Sequence, residues 1–258
     1  MCEELKLLLD TWYDRYNRPE FIVHDPISIP HMFKRKEDIE ISGLFTAILS
    51  WGQRKSILSK SEQLMKMMDM QPFDFVLHAG KDELKRLNSF VYRTFNATDC
   101  LTLVWGLRQI YSNPGGMESI VSDGFAINGA FGAIEKLRNA LLSVPHEKRT
   151  RKHLPSPEKG SAAKRINMFF RWMIRHDSSG IDFGLWQQIP ASLLVCPLDV
   201  HTGRVARNLG LLEVKNDNWN AALSLTNRLK AFDDKDPVKY DIALFCAGLY
   251  EMKEMKIA

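Results

Sequence analysis

The chain has 258 residues, 45% hydrophobic and 26% charged, enough for one large core or two packed lobes and ordinary for a soluble globular protein. Net charge is +4, but between positions 145 and 175 nine Lys and Arg stand against Glu147 and Glu158, a surplus of +7 that leaves −3 for the remainder. Cys2, Cys100, Cys196 and Cys246 are scattered with no CxxC, which excludes a zinc knuckle, a secreted disulfide framework and a local four-cysteine iron–sulfur loop.

The start, MCEELKLLLD, is charged and soon amphipathic, so it reads as a helix over residues 3–17 rather than a signal peptide; Pro19 ends it. Residues 21–33, with Pro26, Pro30 and His31, read as an extended connection. Asp38 is placed to cap a helix through Ser50, and Gly52 separates it from another running from about Arg54 to Met68. Pro72 opens a short helix to His78, Asp82 begins the next, and Thr98–Tyr111 is strongly amphipathic. Asn113-Pro114-Gly115-Gly116 is a turn, and Ala130–Leu142 is helical. Further helices span Ser161 to about Arg175, Val200–Leu209, Trp219–Phe232 and Pro237 through Tyr250. No stretch shows convincing period-two alternation, so the fold class is all-α. There is no GxGxxG or GxxxxGK[ST], and apolar runs fall far short of the roughly 20 residues that span a bilayer. A cytoplasmic protein with no membrane partner is expected.

The chemistry concentrates between His153 and Leu212. On the first helix there, Ala162, Ile166, Phe169, Phe170 and Met173 form a core stripe, while 100° steps align Lys164, Met168, Arg171 and Arg175 on another stripe, expected to face away. Lys164 falls in the first turn, where the helix dipole and Arg165 disfavour its positive charge and push it towards the neutral, nucleophilic amine. One more solvated lysine is the bland alternative. Asp199 stands at the N-cap of the second helix, where a structural cap and a fixed carboxylate for a reaction developing positive charge are both open. The basic segment fits the electrostatic footprint of a phosphate backbone, and equally a solvated, mobile loop. Asp199-Val200-His201 lacks further ligands at sensible spacing, so no metal is expected.

These residues resemble a family. PLDVHTGRVARNLGLL is similar to the helix-entry motif of the HhH-GPD DNA glycosylase superfamily, where endonuclease III carries a V-D-T-H-x-x-R-V run. Asp199 matches that motif's catalytic carboxylate. Lys164, in AAKRINMFF, matches the lysine of the bifunctional members, closest in character to the archaeal 8-oxoguanine branch. LFTAILSWGQRKSI resembles the superfamily's L-L-S-A-Q-x-T-D-like segment, so Gln53 matches a residue that enters the DNA helix at the lesion. Over nearly its full length the chain resembles an uncharacterised bacterial family, DUF2400, through DPI.IPH, SWG.R, KGSA.KR.NMF.RWM.R and PLD.HTGR.AR. Two departures stand out. The superfamily's G-x-G-x-K glycines before the lysine are absent, with Pro155, Pro157 and only Gly160 there, and Lys164 and Asp199 are 35 residues apart because SSGIDFGLWQQIP intervenes.

The resemblance implies a two-lobed helical HhH-GPD-like fold with a cleft between lobes. A central lobe would span 35–175, and a second, 1–34 plus 176–258, would be formed by both termini. It implies a monomeric DNA N-glycosylase with lyase activity on duplex DNA carrying a damaged base, an oxidised purine among the candidates. Asp199 would stabilise the cationic sugar and Lys164 would attack C1′, with no cofactor. Gln53, Arg54, Lys159, Arg165, Arg171, Arg175, His201, Arg204 and Arg207 would meet nucleic acid, and Trp51, Trp172 and Trp186 would line the base pocket. The alternatives are a non-catalytic nucleic-acid-binding protein on the same scaffold, favoured by the missing glycines, and a helical interaction module.

Overall fold

The computed structural model describes residues 2–176 and 178–251. Among the described residues twelve α-helices follow one another: α1 (Cys2–Tyr16), α2 (Glu20–His24), α3 (Lys36–Leu49), α4 (Arg54–Met67), α5 (Pro72–His78), α6 (Lys81–Lys85), α7 (Ala97–Tyr111), α8 (Gly116–Leu141), α9 (Lys164–Ile174), α10 (Val200–Asn208), α11 (Trp219–Lys230) and α12 (Lys239–Leu249). The chain is mostly helical, and the sheet among the described residues is one antiparallel hairpin, β1 (Val91–Tyr92) with β2 (Phe95–Asn96). No helix among the described residues is long and apolar enough to cross a membrane.

Two compact units divide the chain: a central one, His24–Ser156, and a terminal one built from the segments through Val23 and from Pro157 onward. The boundaries expected at 34/35 and 175/176 are therefore displaced. α9 belongs with the termini because its arginines are buried among carboxylates of that unit, as described below.

The central unit is organised on α3, whose residues from Ile39 to Leu49 are all buried, with α4 and α5 packed against it. Asp38 does not cap α3. It accepts the Phe73 amide at the start of α5 (2.9 Å), and α3 begins three residues earlier than expected, with Arg35 at its N-cap. The expected extended connection over 21–33 instead holds the end of α2 and two 3₁₀ turns, Pro26–Ser28 and Pro30–Met32. Each turn opens on proline, whose fixed φ suits a first helical position, and Asp25 caps the first through the Ile27 amide. α7 starts on a capping box, Asn96 accepting from Thr98 and Asp99 while Asp99 takes the Asn96 amide, a device worth about 1 kcal/mol. α8 is two helical arms broken at Asn128–Gly129, so the segment before Ala130 is helical as well.

In the terminal unit α12 lies against both α1 and α10. Gly248 permits the second approach, since a Cβ there would already sit 3.2 Å from Val205 and 3.3 Å from His201. α11 is capped by Asn218 through the Ala221 amide (2.9 Å).

Close backbone packing gives the fold a direct test. A Cβ at Gly106 on α7 would fall 2.3 Å from the Leu141 carbonyl oxygen of α8. Gly106→Ala is expected to cost about 1–3 kcal/mol, the range for overpacking a close-packed core. Urea unfolding of the purified variant measures it; an unchanged midpoint would contradict this packing.

Candidate functional site

The terminal unit brings Lys164 and Asp199 together. Gly160, with φ +79°, turns the chain after a 3₁₀ turn at Pro157–Lys159, and its carbonyl accepts the Trp219 amide (3.2 Å). Ser161 pairs with Asn218, and its hydroxyl accepts the Ala163 amide (3.2 Å). Ala163 then adopts φ +49°, a left-handed conformation that costs an alanine roughly 1–2 kcal/mol. After this bend Lys164 is the first residue of α9, three positions later than the expected start. Asn167 anchors the bend from inside the helix by donating to the Ala162 carbonyl (3.0 Å).

Asp199 occupies the N-cap of α10, in line with the sequence. Its Oδ1 accepts the amides of His201 and Thr202, both at 2.9 Å. Its Oδ2 is left for Lys164, whose Nζ lies 3.4 Å away. The two side chains are 28% and 22% exposed, so the pair is open to a ligand although most of α9 is buried. Val200, 73% exposed, adds apolar surface beside the carboxylate; its unusual exposure gives no sequence signal.

Behind the pair runs a buried ionic chain. Arg171 donates to Asp241 (2.5 Å) and Asp182 (3.3 Å); Arg175 donates to Asp182 (3.0 Å), Asp236 (2.8 Å) and the Tyr13 hydroxyl (2.6 Å). Burial raises the Asp241 carboxyl to about 6; Arg171 and Lys164 pull against that shift, while Asp199 and Asp182 add to it. Lys164, Asp199 and Asp241 are thus electrostatically coupled. Burial likewise pushes up the Asp236 carboxyl, against Arg175.

This chain corrects two expected phosphate ligands. Arg171 and Arg175 are 4% and 1% exposed, and their guanidinium groups are committed to carboxylates. The stripe they share with Lys164 is real, but acids cover it. Trp172 and Trp186 are also corrected, both 0% exposed. The insertion folds onto α9 through Phe183 to the Trp172 carbonyl (2.8 Å) and Trp186 to the Met173 carbonyl (3.0 Å), which puts the Trp186 ring edge-on to Phe169 in the core. Sequence reasoning missed Asp182, Asp236 and Asp241; the acidic balance outside the basic segment was the available signal.

The remaining candidates stay at least partly exposed. Lys159, His201 and Arg204 are exposed, and Arg165 and Arg207 are intermediate. Arg204 donates to the Gly248 carbonyl (2.8 Å), and Arg207 to the Val214 carbonyl (2.8 Å) and Asp217 (2.5 Å), so both also hold structure. In the central unit Gln53 is exposed at the N-cap of α4 without a side-chain cap bond, Arg54 follows, and Trp51 is half-buried against Tyr92. Among the described residues no three His, Cys, Asp or Glu are grouped to hold a metal. Burial raises the thiols of Cys100 and Cys196, which removes both as nucleophiles.

The model of a family described as proteins of unknown function, DUF2400, matches residues 25–250, most of the chain, and the chain belongs to that family. No curated protein and no solved structure matches it.

Asp241 provides the pH test. Its folded-state value of about 6 lies above the ordinary 3.8, so the folded protein holds that proton more tightly than the unfolded chain. The resulting stabilisation is complete below about pH 4 and is lost as pH rises through 6. Carbon NMR of the Asp241 carboxyl should show a midpoint near 6, and Asp241→Asn should flatten the stability profile between pH 4 and 7. A midpoint near 4 would contradict the buried placement.

Proposed function

For this member of the DUF2400 family, we propose that Lys164 and Asp199 are the reactive pair of a DNA N-glycosylase with lyase activity, built on an HhH-GPD-like scaffold. The single observation that carries the reading is the 3.4 Å approach of an amine and a carboxylate from two helix starts, both reachable from solvent. The mostly helical chain, the motif around Asp199 and the exclusion of two thiols support it.

The division of labour follows from the two carboxylate oxygens. Oδ1 is fixed by two backbone N–H groups, which locks the orientation of Oδ2. Once Lys164 has given up a proton, its lone pair forms a bond to C1′ of the sugar. The C1′–N bond to the base breaks, and the base leaves with the bonding pair and takes up a proton. Asp199 stabilises the positive charge that builds on the sugar meanwhile. Loss of the second amine proton and opening of the ring leave an imine between Lys164 and C1′. Removal of a C2′ proton then expels the 3′ phosphate, and water releases Lys164. A damaged base must leave the stack to reach the pair, so lesions that weaken stacking or pairing are the substrate class.

One observation favours a second reading, a nucleic-acid-binding protein without this chemistry: the approach to Lys164 is a 3₁₀ turn and a left-handed alanine in place of the G-x-G hairpin.

Incision assays separate the two. Duplexes carrying 8-oxoguanine, uracil, an oxidised pyrimidine or an abasic site should include one that the wild type cuts. Lys164→Ala should abolish cutting, and Asp199→Asn should slow it by about a hundredfold or more. Incision that survives in Lys164→Ala overturns the imine reading. Binding without incision of any duplex favours the second.

A further inference from the structure

The central unit carries a second feature, remote in sequence from Lys164 and Asp199. Arg93 sits at the tip of the β1–β2 hairpin with φ +54°, and its guanidinium lies 4.7 Å from the centre of the Trp51 ring. The stack is built in. Tyr92 donates from its hydroxyl to the Trp51 carbonyl (2.6 Å), and Gly52 leaves room, since a Cβ there would come within 2.5 Å of Arg93 Nη1. Gln53 and Arg54 follow directly at the start of α4.

The basic segment is tied to the same hairpin. Lys148–His153 forms a 3₁₀ helix, KRTRKH, a run of like charges that repels itself and would be unstable alone. Arg149 donates to the Thr94 carbonyl (2.5 Å), Asn96 Oδ1 (3.0 Å) and Asp99 Oδ2 (2.8 Å). The Thr150 hydroxyl donates to Asp99 Oδ1 (2.8 Å), and His153 Nε2 lies 3.3 Å from Asp99 Oδ2. Asp99 is fully buried, so one carboxylate under the turn fixes its fold without neutralising its outer face. Lys148, Arg151 and Lys152 are exposed, and residues three apart on a 3₁₀ helix eclipse, aligning Lys148 with Arg151 and Arg149 with Lys152.

Several exposed cations meet acids, as Arg35 does Asp74, Arg86 does Asp69 and Lys136 does Asp123. Among the described residues no carboxylate pairs with Arg93, Lys148, Arg151 or Lys152, and Arg151 donates to His146 instead (3.0 Å). Glu147 is the one acid in the segment 145–153.

We propose that the hairpin tip and the pinned basic turn form a phosphate-tracking stripe on the central unit, which grips the backbone of a nucleic acid. The choice of nucleic acid over an acidic protein rests on the glycosylase reading. The chemistry itself is general: exposed cations on a pinned turn, with an Arg stacked on Trp, suit a regular line of phosphates.

Fluorescence anisotropy of a labelled duplex titrated with the full-length protein across a salt series tests this. The variants are Arg93→Ala, the triple Lys148→Ala/Arg151→Ala/Lys152→Ala, and Lys81→Ala as the control. The triple should weaken binding at least tenfold and flatten the log–log salt slope by roughly 0.9 for each phosphate no longer neutralised; Arg93→Ala should do so to a lesser degree. All substituted stripe residues are exposed, and thermal melting checks that the fold persists. Lys81→Ala, an exposed lysine of the central unit outside the hairpin and the basic turn, should bind as the wild type does. Stripe variants that bind with wild-type affinity and slope overturn the proposal, as does a wild type that binds polyglutamate but no nucleic acid. Binding that follows the stripe while no duplex is incised sustains the stripe and sinks the catalytic reading alone.

Discussion

The ionic chain from Arg171 and Arg175 to Asp182, Asp236 and Asp241 is the constraint on which the site depends. Taking such charges out of water costs several kcal/mol per ion, and mutual attraction offsets that only with good geometry and satisfied hydrogen bonds. Here each guanidinium reaches two carboxylates, and Arg175 also reaches Tyr13. Apolar residues of similar size would often hold a core equally well. What the arginines add is direction. Seven residues of helix turn through nearly two whole revolutions, so Arg171 lies on the same face as Lys164. Anchoring Arg171 against α12 therefore fixes the rotation of α9 and aims the amine at Asp199.

Asp199 shows how a structural role and the proposed chemical one can share a side chain. Capping uses one oxygen, and the other faces the amine. The two functions reinforce each other, because the backbone N–H groups that need a cap also immobilise the carboxylate. Asp241 sits behind, protonated below about pH 6, and its charge state acts on both members of the pair.

The helices were legible wherever periodicity met a clear start signal. Asp199 and Pro72 marked their helices well. The hairpin was not legible, because strands of two residues each cannot show alternation. The first arm of α8 was not legible for another reason: Gly115-Gly116 reads as a turn, and Gly124 and Gly129 weaken the helical signal, yet Ala133 packs on Gly124 at a distance no Cβ would allow. Local pattern and family resemblance single out Lys164 and Asp199, and the structure places them 3.4 Å apart. The exposure of Arg171 and Arg175 was misjudged because a helical wheel shows which residues share a stripe and not what covers it. Their partners lie up to 162 positions away, on elements whose packing a single helix cannot report.

If Lys164 is the nucleophile, it must carry the covalent intermediate. The most direct measurement is borohydride reduction of the protein on an abasic duplex, followed by proteolysis and mass spectrometry of the cross-linked peptide. The sugar remnant is expected on Lys164, and on no other amine. A remnant on Lys159 or the N-terminal amine, or no cross-link with a duplex that the protein binds, would contradict it.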